Sequence, residues 1–189
     1  MRDMERRSFL SATMATFPLA MLGRSGETSA RSKLTRVAAG EDRFGEHHTI
    51  GVSSTDFKVA TKDTNAGLFI MEHTNRKKGG PPRHLHHNED EWFYAIGGEY
   101  IVEVGSERFR LKSGDSILAP REVPHAWAFV GDTPGKMIIA FAPANKMEEF
   151  FRSTNARRGG AYSTWDDPTE KERFRTFGLE LLGPPLAVE

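Results

Sequence analysis

The sequence predicts an all-β fold, an antiparallel jelly-roll barrel or sandwich with short helices at its C-terminal end. Short segments rich in β-branched and aromatic residues dominate the middle of the chain, and Gly, Pro, Asn or Asp punctuates most of the gaps. Regular short strands of this kind are typical of antiparallel barrels. The predicted strands are 49–52, 57–60, 68–72, 92–96, 100–104, 107–111, 116–119, 125–130 and 137–142.

The spacing of apolar residues changes after the last of these strands. Residues 146–153 carry Met and Phe side chains at near-helical spacing, which predicts a first helix. A second helix is expected over 169–182, after an Asp-Asp-Pro start and before the Gly-Pro-Pro at 183–185. The two helices are expected to cover an edge or an end of the barrel.

The first 30 residues resemble a twin-arginine export signal. Arg6-Arg7 is followed closely by Phe9-Leu10 and by a mildly apolar run over 12–22, which is shorter than the roughly 20 residues needed to span a bilayer. We therefore expect a signal peptide over 1–30, export to the bacterial periplasm, and no stable membrane insertion after cleavage. The alternative is a disordered or amphipathic extension. A single domain is expected over 31–189, with the barrel core at about 45–145 and a helical tail over 146–189.

Composition excludes several classes of function. Once the predicted leader is set aside, 22 basic and 23 acidic residues remain, so no basic surface argues for a nucleic-acid partner. The 189-residue chain has no cysteine, which rules out a thiolate nucleophile, a disulfide scaffold and a sulfur-ligated zinc. Any metal site in this chain must use imidazole and carboxylate groups.

Four residues are candidates for such a site. His84 and His86 point to the same face of an extended strand, and the residues between His86 and Glu91 are enough for a turn that returns a carboxylate to them. A loop bounded by prolines then places His125 at the start of a strand. We predict that these four side chains bind one divalent transition metal, either Fe, Mn, Ni, Cu or Zn.

The two segments that carry these residues strongly resemble the two motifs of the cupin superfamily. The first has Gly, then His-x-His, then Glu after four intervening residues, then Gly; the second has Gly, Pro and His in the expected order, at 114–125. Two residues depart from the usual pattern, since Glu122 replaces a glycine and Phe129 stands where many members have asparagine. The resemblance covers about 45–145 and implies a single cupin barrel, for which a homodimer is the default expectation.

Strand parity predicts which neighbours face the ion. If Glu91 and His125 point inward, then so do Phe93, Trp127 and Phe129, which we predict to line an aromatic substrate cavity, although ordinary barrel packing explains each ring equally well. The remaining histidines are assigned other places. His87 is expected at the surface, and loop or edge positions are expected for His47, His48 and His73. Glu89 and Asp90 are expected in a solvated turn.

The residues around the histidine pair, the proline-bounded loop before His125 and the first predicted helix together are similar to the quercetin 2,3-dioxygenase type of cupin. That similarity implies a metal-dependent dioxygenase that takes dioxygen and a flavonol-like or other enolisable aromatic substrate, with Glu91 as metal ligand and general base. A divalent ion and one carboxylate would leave the site with a charge of about +1. Two alternatives stay open: a non-catalytic cupin that binds a small ligand or a metal, and another metal-dependent cupin enzyme such as an isomerase, decarboxylase or lyase.

Overall fold

The computed structural model describes residues 36–156 and 164–188, which form two antiparallel sheets and two helices. The predicted leader over 1–30 lies outside these residues and stays a prediction, and the homodimer also stays one because the structure contains one chain. The strands are β1 His48–Ile50, β2 Ser53–Val59, β3 Phe69–Asn75, β4 Pro82–His86, β5 Asp90–Gly97, β6 Tyr100–Val104, β7 Glu107–Leu111, β8 Ser116–Ala119, β9 His125–Phe129, β10 Gly135–Ala142 and β11 Leu179–Pro185. The helices are a 3-10 turn at Thr61–Thr64, α1 Met147–Ala156 and α2 Pro168–Thr176.

The strands divide between two sheets that face each other. One sheet has six strands in the order β1-β2-β3-β10-β5-β8, and the other has five in the order β11-β4-β9-β6-β7. Strands that are neighbours in the sequence often lie in opposite sheets, so β4 and β5 enclose the interior from two sides. The predicted all-β antiparallel fold is confirmed.

Strand β5 shows how the sequence selects the inner face. Along this strand buried and exposed residues alternate, with Glu91, Phe93 and Ala95 buried and the aromatic residues between them exposed. Side chains of a strand point alternately to its two faces, so an alternating sequence fixes which residues enter the core. The parity predicted for β5 is confirmed.

The predicted second helix is wrong over its second half. Helix α2 begins where expected, since the Asp167 carboxylate accepts a hydrogen bond from the Thr169 backbone N–H at 2.8 Å and Pro168 occupies the first turn. It ends at Thr176 because Gly178 adopts a left-handed backbone conformation, with φ of 80°. The chain then forms β11, which pairs with β4 and so covers the edge of the five-stranded sheet.

The two helices close one end of the barrel. Helix α1 buries Met147, Phe150 and Phe151, and the ring of Phe150 meets Phe174 of α2 edge to face at 5.0 Å. Phe151 lies 5.6 Å from Phe141 of β10, measured between ring centroids. The predicted position of the helices over an end of the barrel is therefore confirmed. No helix in the described part of the chain has the length and hydrophobicity to cross a membrane.

Gly80 allows the segment before β4 to lie against β9. The backbones of Gly79 and Phe129 exchange two hydrogen bonds, of 2.9 and 3.0 Å. A Cβ atom on Gly80 would lie 1.8 Å from the carbonyl oxygen of Trp127, a contact with backbone that no side-chain rotation relieves. Close approach of two backbones is one of the uses of glycine.

We predict that Gly80→Ala lowers the free energy of unfolding by about 3 kcal/mol, because β9 and the approach to β4 must separate to admit the methyl group. Urea unfolding followed by circular dichroism measures this change. Gly97→Ala is the matched control, since a Cβ atom there meets nothing within 4 Å. Equal stability of the two variants would contradict the assigned contact.

Candidate metal centre

The four predicted ligands come from three strands in two sheets. His84 and His86 lie on β4, and His84 is paired directly with His125, the first residue of β9. Glu91 enters from the opposite sheet, near the start of β5. All four side chains are buried, and they can offer one donor atom each such that these atoms lie within 4.8 Å of one another. The structure thus brings together the residues that the sequence predicted to converge.

The loop before β9 is held by contacts to β4, which carries the histidine pair, and to the start of β5. The Glu122 backbone N–H donates to the His86 carbonyl oxygen at 2.7 Å, and the Arg121 guanidinium forms two hydrogen bonds with the Asp90 carboxylate. Glu122 adopts the left-handed conformation, with φ of 63°, that favours glycine. The departure from the cupin pattern at this position therefore changes the side chain and keeps the turn.

Three imidazole nitrogens surround one oxygen of Glu91. The Nε2 atoms of His125, His86 and His84 lie 2.8, 3.0 and 3.8 Å from Glu91 Oε2. The carboxylate and the imidazoles therefore form one compact polar cluster in the interior.

Backbone carbonyl groups fix the orientation of two of the rings. His84 Nδ1 lies 2.8 Å from the Pro82 carbonyl oxygen, and His125 Nδ1 lies 2.9 Å from that of Val123. A carbonyl oxygen only accepts hydrogen bonds, so in both rings Nδ1 carries the proton and, in the neutral ring, Nε2 presents its lone pair to the cluster. These lone pairs face a carboxylate oxygen and require a cation among them. A divalent metal ion fits this donor set of three imidazoles and one carboxylate.

The third histidine has a carboxylate behind it. His86 Nδ1 lies 3.4 Å from Oε2 of Glu89, and the Glu89 side chain is fully buried. Neither Glu89 oxygen has another hydrogen-bond partner among the described residues. The expectation that Glu89 lies in a solvated turn is wrong, because the turn between β4 and β5 folds this side chain inward. Two carboxylates, Glu91 and Glu89, are thus placed to balance a divalent ion, where the sequence predicted one.

Burial and hydrogen bonding act in opposite directions on the ionisation of the cluster. Burial lowers the pKa of His84 to about 4, so this ring is neutral at pH 7. Burial alone would raise the pKa of Glu91, but its close contacts with His125, His84 and His86 hold it well below its usual range. Burial also opposes the charged form of His86, but contacts with Glu89 and Glu91 outweigh it and raise its pKa.

A small cavity adjoins the cluster. Its volume is about 30 Å³, and its walls are mainly apolar, formed by residues of β9, β10, β11, α1 and α2. A cavity needs roughly 10–15 Å³ to hold one water molecule, so this cavity has room for about two water molecules. Helix α1 forms part of its wall through Met147, Phe150 and Phe151.

Of the three predicted aromatic contacts, only Trp127 lines this cavity. The Phe93 ring is buried on β5, 6.2 Å from the His125 ring, and Phe129 packs against Tyr100 at 5.4 Å near Gly135. Both point inward as parity predicts, but they lie outside the cavity wall, and Phe93 and Phe129 serve as core packing. The rest of the apolar cavity wall comes mainly from β10 and the C-terminal segment, and the sequence motifs do not cover that segment.

The sequence also misplaced one histidine that lines the cavity. His73 was expected in a loop or at an edge, but it is buried in β3, between β2 and β10 in the six-stranded sheet. Burial lowers the pKa of His73 to about 4, so it is neutral at pH 7. The signal that could have found it is its alternation with Phe69 and Met71, which places all three on the inner face of one strand.

Comparisons with known proteins agree with this fold. Residues 72–141 match the family model described as a cupin domain. Pac13 of Streptomyces, described as a nucleoside dehydratase, superposes with a TM-score of 0.51 at 10% identity, over 80% of this chain and 93% of that one. At this identity the likeness concerns the fold alone. The chain therefore adopts the cupin fold, and residues 72–141 resemble a cupin domain.

Two curated proteins are similar over shorter stretches. An uncharacterised protein of Methanocaldococcus jannaschii is 29% identical over 66 residues, 35% of this chain and 53% of that protein. A protein of Streptomyces cyaneus named polyketide synthase CurC is 27% identical over 77 residues, 41% of this chain and 47% of that protein. The chain thus spans about half the length of the curated relatives it matches.

We predict that Glu89→Gln weakens metal binding by about 10–100-fold, because the neutral amide no longer strengthens His86 as a donor or balances the ion. Titration of the metal-free protein with Co²⁺, followed by its visible absorption, measures the dissociation constant. Glu122→Gln is the matched control, since that carboxylate lies 3.1 Å from the exposed His87 and outside the cluster. An unchanged constant for Glu89→Gln would show that Glu89 has no part in metal binding.

We predict that His73 contributes to acid sensitivity. Its pKa is about 4 in the folded protein and 6.5 unfolded, so the unfolded chain takes up the proton first and stability is lost as pH falls from 6.5 towards 4. His73→Phe removes this loss. Between pH 7 and pH 5, the free energy of unfolding of the metal-free variant should therefore fall by about 2 kcal/mol less than that of the metal-free wild type. Urea unfolding at both pH values tests this, with the exposed His47→Ala as control.

Proposed function

We propose that this protein is a metal-dependent cupin enzyme, a dioxygenase that acts on an enolisable, aromatic substrate. The observation that carries the proposal is the buried cluster of three imidazoles and one carboxylate at the wall of an apolar cavity. Water is largely excluded from such a site, which strengthens every electrostatic interaction inside it. The combination suits chemistry on an apolar molecule that offers one oxygen atom for recognition.

The four cluster residues would hold the ion. His84, His86 and His125 would each bind through Nε2 and Glu91 through a carboxylate oxygen, a set that leaves up to two positions of an octahedral ion for ligands. When bound, the ion supplies Lewis acidity, which polarises a hydroxyl oxygen of the substrate and lowers its pKa. Selectivity among Fe, Mn, Ni, Cu and Zn depends on geometry and availability rather than on affinity alone.

Glu91 has the properties of a proton acceptor for such a hydroxyl group. Close contacts with the three histidines keep its pKa well below the usual range, so it is ionised at neutral pH. A weakly basic carboxylate is sufficient when the hydroxyl group is itself acidified. Glu91 is therefore assigned two functions, metal ligand and general base.

The size of the cavity restricts the substrate. About 30 Å³ accommodates a few heavy atoms and not the three rings of a flavonol. A flavonol would bind only if Phe150 and Phe151 of α1 moved away from the barrel end. The proposal therefore favours a smaller enolisable compound, or one whose reacting end alone enters the cavity.

The same small volume favours one alternative, a non-catalytic cupin that binds a small ligand or a metal. Oxygen consumption separates the two functions. The metal-reconstituted protein is assayed with a panel of flavonols and smaller enolisable aromatic compounds. Binding without oxygen uptake across the panel would favour the alternative.

For the enzyme, we predict that Glu91→Gln lowers turnover by at least about 100-fold, because the amide cannot accept the proton, while the three histidines retain much of the metal. Oxygen uptake and metal content are measured on the same preparation. Glu99→Gln, on a partly exposed carboxylate paired with Arg110, is the control. Full activity of Glu91→Gln with bound metal would remove the base assignment.

A further inference from the structure

The cavity beside the metal cluster contains one more titratable side chain. His73, at the inner face of β3, lines the same cavity as His84, His86 and Glu91. The other lining residues are apolar or aromatic, among them Trp127 and Phe151. His73 is therefore the cavity's one imidazole outside the predicted ligand set.

The surroundings of the His73 ring define how it can bond. Its Nε2 lies 3.3 Å from the sulfur of Met71, and Trp127 and Phe151 meet the ring edge to face at 5.6 and 6.4 Å. Its Nδ1 has no hydrogen-bond partner among the described residues, although the side chain is almost completely buried. A buried polar group without a partner costs free energy, so an apolar residue would be more stable here unless a ligand completes the bond.

The contact with the Met71 sulfur indicates which tautomer the His73 ring adopts. A thioether sulfur is a weak acceptor and cannot donate, so the proton belongs on Nε2 and the lone pair on Nδ1. Burial keeps the ring neutral at pH 7, since its pKa is about 4. A neutral imidazole with its lone pair on Nδ1 accepts a hydrogen bond from a hydroxyl group and offers nothing to an ether or an alkyl group.

We propose that His73 Nδ1 accepts a hydrogen bond from a hydroxyl group of the ligand that enters this cavity, and so selects α-hydroxyketones and related enolisable hydroxyl compounds. The inference rests on the proposed function, because the metal centre would hold the ligand's enol oxygen, which is the carbonyl oxygen of the keto form. A site built to bond a hydroxyl group discriminates strongly against an analogue without one. His73 is thus a specificity-determining residue, separate from the groups that hold the ion.

The test compares two ligands of equal size, hydroxyacetone and butanone, in which a methyl group replaces the hydroxyl group. Each is titrated into the Co²⁺-loaded protein, and its dissociation constant is measured from the paramagnetic broadening of its methyl resonance. We expect the wild type to bind hydroxyacetone at least tenfold more tightly than butanone. His73→Phe should reduce this ratio at least fivefold, whereas His73→Asn, which keeps an acceptor, should retain part of it.

His48→Phe is the matched control, since His48 is also buried but stacks on Phe57 at 4.4 Å and does not line the cavity. Co²⁺ affinity is measured first for every variant, which shows that the centre is intact. The same ligand ratio in His73→Phe and wild type, with Co²⁺ bound, would overturn the assignment of His73 and leave the proposed function standing. A wild-type protein that binds no Co²⁺ would contradict both.

Discussion

The convergence of three imidazole Nε2 atoms on one oxygen of Glu91 is the constraint around which this interior is organised. His84 and His125 are paired across two strands of one sheet, and Glu91 enters from the other, so the cluster forms only when the two sheets meet in one register. A shift of β5 by one residue would turn Glu91 outward and place Trp92 or Asp90 in the interior. The carbonyl groups that hold the Nδ1 atoms of His84 and His125 add a second requirement, since they determine which nitrogen is available. Without a cation, the cluster buries lone pairs against a carboxylate, and partial protonation is the remaining way to relieve that arrangement.

Local sequence predicted those parts of the structure that depend on strand parity. The alternation along β5 placed Glu91 inside and Trp92 outside, and the spacing of His84 and His86 placed both on one face. The secondary structure of the chain after α1 cannot be predicted from the local spacing of apolar residues. Phe174, Phe177 and Leu181 have the spacing of one helical face, whereas Leu179 and Leu181 have the spacing of one strand face. The free edge of β4, a distant partner, favours the strand.

The two residues that the sequence misplaced show a related limit. Glu89 lies in a polar turn, where solvent exposure is the usual outcome, and its burial depends on His86 being in reach of it. His73 has no second ligand at a suitable spacing in the sequence, and it joins the cavity only because β3 lies two strands from β5 in the same sheet. A search of the sequence for histidines at the spacing of metal ligands finds ligands that lie on one or two strands. It does not find a side chain that faces the same cavity from another strand.

The C-terminal segment determines how large a molecule the site admits. Helix α1 and strand β11 both contribute to the cavity wall, and Phe150 joins α1 to α2 through its contact with Phe174. These elements are held together mainly by aromatic packing, and the contacts of Phe151 with Phe69 and Phe141 join them to the six-stranded sheet. Rearranging these contacts would expose apolar surface but would break no backbone hydrogen bonds between strands. Enlarging the cavity from the sheet side would instead separate paired strands. The barrel therefore supplies the polar groups of the site, and the segment after it limits the size of the cavity beside them.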